Sequence, residues 1–92
     1  MAMIYTVDFE YKGGTYLAQV EAVGPQEVLS MWLEQTSDKE LARWSTKRSA
    51  IAQHLIDKAP VAIEGLKGVW CVSGTINENF ALAHIIATSE VT

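Results

Sequence analysis

A chain of 92 residues with 49% hydrophobic residues has room for one small domain and is too apolar to stay disordered. Its single cysteine excludes an intramolecular disulfide framework and an all-cysteine metal site. Eleven acidic against seven basic residues, a formal charge of -4, work against a nucleic-acid binder, which needs a clustered positive face.

The start, Met1-Ala2-Met3-Ile4-Tyr5, has no basic region ahead of an apolar core, as a secretory signal would, and Ala2 stands where myristoylation requires glycine. Residues 3–11 alternate with period two: Tyr5, Val7, Phe9 and Tyr11 fall on one face, Ile4, Thr6, Asp8 and Glu10 on the other. Lys12-Gly13-Gly14 reads as a turn and residues 15–23 as the returning strand, with Tyr16, Ala18 and Val20 alternating with Gln19 and Glu21. Tyr5, Val7 and Phe9, then Gly13-Gly14, Tyr16, Ala18 and Val20, resemble the first hairpin of HicB-like antitoxins, small proteins of toxin–antitoxin pairs. The resemblance covers about a quarter of the chain, up to Val23. The third strand of that family, with its Gly-Cys segment, is missing, as is a C-terminal DNA-binding helix-turn-helix or ribbon-helix-helix, so no functional residue is carried over.

Gly24-Pro25 opens a helix, because proline suits a first helical position, and Val28, Leu29, Trp32 and Leu33 give it one apolar face up to Gln35. Ser37 followed by Glu40 matches a capping box. Leu41, Trp44, Ile51 and Leu55 continue the apolar stripe, with Arg48 in the one gap. Two readings are open: a single helix over 38–58 with Arg48 at its rim, or two helices broken at Ser45-Thr46, with Thr46 capping the second. Ala59-Pro60 ends the helical region. Val61-Ala62-Ile63 is a short edge strand or a docked loop. Residues 68–76 form a strand, Asn77-Glu78-Asn79 a turn, and residues 80–88 a last strand with apolar side chains on both faces, as in a central strand or one with a helix on one side and a partner on the other. Its apolar run, Phe80 to Ala87, is far shorter than the roughly twenty residues of a membrane helix. With an unpaired cysteine, this makes a cytoplasmic protein the expectation.

The order predicts one α+β domain over residues 1–92: a two-layer sandwich in which an antiparallel four-stranded sheet, β-β-α-α-β-β, carries helices on one face. The other face then needs cover, and Tyr5, Phe9, Phe80, Leu82 and Ile86 are the candidate interface residues.

The catalytic inventory is thin. His54 lies near Asp57 and Lys58 on a solvated helix face, and His84 sits among apolar strand residues. Cys71 falls nearly across from His84 if the last two strands pair, the best candidate nucleophile pair in the chain, but with no oriented third group or oxyanion donor to name, cross-strand pairing of two core residues is the better account. Asp8 and Glu10, with Glu21 or Gln19 opposite, offer either a cation patch or the charged face of an edge hairpin. Gly13-Gly14 and Gly65-x-x-Gly68 lack the context and lysine of a phosphate loop. Lys39, Arg43, Lys47 and Arg48 form the one basic patch, diluted by Asp38 and Glu40. The leading expectation is an interaction protein without catalytic activity or cofactor, pairing with itself or a protein partner, with no role for membrane or nucleic acid. The alternatives are a small-molecule-binding or enzyme module using a helix/sheet cleft, and a toxin–antitoxin-like or nucleic-acid-associated regulator using the basic patch.

Overall fold

The computed structural model describes residues 2–88. Its elements run β1 (Met3–Tyr11), β2 (Gly14–Ala22), α1 (Pro25–Gln35), α2 (Asp38–Arg43), α3 (Arg48–Ile51) continuing into a π-helical turn (Ala52–Ile56), β3 (Val61–Ala62), β4 (Val69–Ile76) and β5 (Asn79–Thr88). The sheet is antiparallel and has five strands in the order β2-β1-β5-β4-β3, not the expected four. The extra strand is the segment whose two residues pair Val61 with Cys71 and Ala62 with Trp70. Two residues are too few to display an alternation, so the sequence left this segment ambiguous.

Both hairpins close on two-residue turns. Lys12 (φ 50°) and Gly13 (φ 78°) join β1 to β2, and Asn77 (φ 50°) and Glu78 (φ 68°) join β4 to β5. Left-handed backbone at both central positions is the turn whose twist matches the flanking strands. Such a turn makes the closing pairs, Tyr11 with Gly14 and Ile76 with Asn79, hydrogen-bonded, and the alternation then fixes every later pair. The outward-directed amides of β2 are therefore those of Thr15, Leu17, Gln19 and Glu21. Cys71 and His84 form a non-hydrogen-bonded pair, the kind that brings side chains closest.

One sheet face is covered by the helices. Tyr5, Val7, Phe9 and Tyr11 of β1 and Ala81, Ala83 and Ile85 of β5 are buried there with Val28, Leu29, Trp32 and Leu33 of α1. The small side chains of β5 let the helical layer sit close. Phe9 is the hub, with its ring centroid 4.9 Å from both Trp32 and Trp44. The Tyr11 hydroxyl donates to the Ile76 carbonyl at 2.9 Å and ties β1 to the far hairpin.

The helical region is broken, as the Ser45-Thr46 reading expected. Ser37 Oγ accepts from the Glu40 amide at 3.1 Å and starts α2, which ends at Trp44, and Ser45 takes a left-handed φ of 54°. Thr46 does not cap α3; Lys47 stands at the capping position without a side-chain bond. The apolar stripe survives the break, since Leu41, Trp44, Ile51 and Leu55 are all buried. A Cβ on Gly74 would collide with the His54 backbone carbonyl, so β4 is glycine where the π-helical turn rests on it.

Candidate functional site

Among the described residues, no helix lies on the second sheet face. The register lays a row of side chains across all five strands there: Val61, Cys71, His84, Asp8 and Leu17. The flanking rows are Val69, Ile86, Thr6 and Gln19 on one side and Ser73, Leu82, Glu10 and Thr15 on the other, with Phe80 opposite Thr75 beyond them. Three large apolar residues of this face are strongly exposed: Leu17 at 70%, Phe80 at 65% and Val61 at 62%. The face thus carries apolar side chains at Leu17, Val61 and Phe80 and on β5 at Leu82 and Ile86, around a polar group of Thr6, Asp8, Glu10 and His84.

Of the predicted interface residues, Phe80, Leu82 and Ile86 lie on this open face, whereas Tyr5 and Phe9 do not. Both are buried in the core, because the aromatic face of β1 is the one turned to Trp32 and Trp44. The predicted basic patch also comes apart. Lys39 and Arg43 are exposed on α2, and Arg43 pairs with Glu40 one turn back at 3.5 Å. Lys47 lies beyond the end of α2, so the four-residue spacing does not run along one helix. The Arg48 guanidinium folds back onto the end of α1. It donates to the carbonyl of Leu33 and, at 2.8 Å, to that of Thr36, and reaches the exposed Asp38 at 3.1 Å. A cation there meets the last carbonyls of the helix, of which that of Leu33 also accepts from the Thr36 amide at 3.2 Å, and the negative end of the helix dipole.

Asp8 and Glu10 do share a face, but their third partner is His84 rather than Glu21, which lies opposite Ile4. One ligand atom from each of Asp8, Glu10 and His84 lies within 4.8 Å of the others, close enough to hold one cation between them. His84 Nδ1 is 3.8 Å from Asp8 Oδ2, an ion-pair distance beyond hydrogen-bond range when the imidazole is charged, and Asp8 Oδ1 is shielded without a partner. Cys71 flanks His84 on its other side, so cysteine, histidine and aspartate stand in lateral order. Sequence reasoning found the Cys71–His84 pair but not Asp8, because hairpin patterns do not say that β1 and β5 are neighbours. His54 is exposed on the π-helical turn, and Lys58 turns away from it to donate to the Ser73 carbonyl at 3.0 Å.

No family model matches the chain, and neither a curated protein nor a solved structure matches it. Among the described residues, no helix is long and apolar enough to cross a membrane.

Proposed function

We propose that this chain is a protein-interaction module without catalytic chemistry of its own, and that its open sheet face docks a second copy. The observation that carries this reading is the face itself: an uncovered sheet whose margins hold Leu17, Phe80 and Val61 largely in solvent. Eight-residue strands at about 3.3 Å per residue, over four spacings of about 4.8 Å, span about 26 Å by 19 Å. That footprint, roughly 500 Å² in projection, is well short of the roughly 800 Å² that one partner of a standard interface buries, so pairing through it is weak and concentration-dependent. A two-fold axis through its centre brings the polar group of one copy against that of the other and the apolar side chains around it against their counterparts. Sedimentation equilibrium of the wild type and of Leu82→Glu tests this: a dimer that the substitution converts to a monomer supports it, and a 10.1 kDa species at every concentration overturns it.

The lateral order Cys71, His84, Asp8 favours one second reading, a thiol hydrolase. Two physical arguments weigh against it. The 3.8 Å gap leaves His84 without the hydrogen bond that orients a catalytic imidazole. The amides of β5, held between β1 and β4, are committed to the ladders and cannot turn to an oxyanion.

A further inference from the structure

The free edge of the sheet at β2 borders a groove that the open-face reading does not use. Two adjoining depressions of about 450 Å³ and 380 Å³ run along this edge between β2 and the α1–α2 corner, sharing Gln35 as a common wall. The first is lined by the consecutive strand residues Thr15 to Ala18 and by Trp32, Glu40 and Trp44; the second continues along Gln19 to Glu21. A run of consecutive strand residues along a wall means that the edge backbone itself is presented. The amides and carbonyls of Thr15 and Leu17 are the outward-directed ones, unpaired within the sheet.

Among the described residues, two polar atoms of side chains lining the first depression find no hydrogen-bond partner. The Trp44 side chain belongs to a residue only 4% exposed, yet its Nε1 is shielded from solvent and donates to nothing. Glu40 Oε1 faces Arg43 at 3.5 Å, while Oε2 is shielded and accepts from nothing. One wall thus lacks an acceptor and the other a donor, in a space bounded by the rings of Tyr16, Trp32 and Trp44. The two depressions include two carboxylates, Glu40 and Glu21, and neither lysine nor arginine.

We propose that this groove binds an extended segment of a partner protein as a sixth strand beside β2, with a basic side chain seated in the Trp44–Glu40 pocket. The segment bonds to the outward amides and carbonyls of Thr15 and Leu17. Its residue between those bonds projects to the helix side, where Tyr16 and Ala18 project from β2. There a lysine stem lies along the aromatic rings and its ammonium meets the Glu40 carboxylate; Glu40 Oε2 and Trp44 Nε1, both shielded in the unbound chain, are reached once the Glu40 side chain turns toward the ligand. A groove along Thr15 to Glu21 extends for about 23 Å at roughly 3.3 Å per residue, which suits an extended segment rather than a small molecule.

The test is a nitrogen-15 NMR titration of the full chain with capped Thr-Val-Thr-Lys-Thr-Val-Thr and with the same peptide carrying Glu at its centre. Saturable shifts at the Thr15 and Leu17 amides and the Trp44 indole N–H, with at least tenfold weaker binding of the Glu peptide, are expected. Leu17→Pro removes an outward amide without touching the β1 ladder and should weaken the Lys peptide at least fivefold. Glu40→Gln, which leaves the backbone intact, should abolish the preference for Lys over Glu. No shifts at millimolar peptide, shifts mapping away from β2, equal binding of the two peptides, or an unchanged preference in Glu40→Gln would each overturn the proposal. The dimer reading is unaffected by any of these outcomes.

Discussion

Replacing Arg48 with methionine keeps the stem of the side chain and removes its head, which isolates what the guanidinium does at the end of α1. It donates to the carbonyls of Leu33 and Thr36 while 39% exposed. A bond donated by a charged group contributes about 1.5–3 kcal/mol, and screening at this exposure reduces each to about 1 kcal/mol. The charge near the helix C-terminus adds about 0.5 kcal/mol. The link to Asp38, whose side chain is 98% exposed, adds little. The expected loss is about 2.5 kcal/mol. With a urea dependence of about 1 kcal/mol per molar for a chain of this size, the unfolding midpoint should fall by about 2.5 M. Arg43→Met removes a cation that is 61% exposed and bonded only to Glu40, and should stay within about 0.5 kcal/mol of the wild type. Equal midpoints for the two variants would refute the assignment of Arg48 to the α1 terminus and return it to the surface with Lys39, Arg43 and Lys47.

Gly74→Ala should destabilise the fold by several kcal/mol, of the order seen for overpacked cores, because the new methyl meets the His54 carbonyl rather than a movable side chain; a melting temperature equal to the wild type would count against the seating of the π-helical turn on β4. Glu78→Gly should stabilise by about 0.5–1 kcal/mol, since Glu78 holds a φ of 68° that glycine adopts without strain, and a lower urea midpoint would contradict the turn geometry. Cys71, half-buried and, among the described residues, with no lysine, arginine or helix start beside it and only the His84 imidazole across the strand, should alkylate slowly in the native protein at neutral pH; rapid alkylation suppressed in His84→Ala would promote the hydrolase reading.

The strands at both ends were legible because alternation of period two survives in a single sequence, and the turn residues between them mark where it reverses. The central place of β5 was one of two readings that apolar side chains on both its faces allowed, the other being a helix on one side and a partner on the other. The helical break at Ser45-Thr46 was one of two open readings, suggested by hydroxyls that compete for backbone bonds, while the capping role assigned to Thr46 fails because it depends on where the chain turns after Trp44. What the sequence could not express was strand adjacency. Tyr5 and Phe9 looked like interface residues only while either face of β1 could have met the helices. Arg48 looked like part of a basic stripe only while residues 38–58 could have been one helix. The Asp8–His84 contact joins residues 76 positions apart, and nothing local announces it.

The most direct test of the docking face is an isotope-filtered NOE experiment on an equimolar mixture of carbon-13-labelled and unlabelled protein. Intermolecular NOEs from the methyl groups of Leu17, Leu82 and Ile86 to open-face protons of the other copy are the expected result. Intermolecular NOEs confined to the helical side or to the β2 edge, or none at millimolar protein, would contradict pairing through the open sheet face.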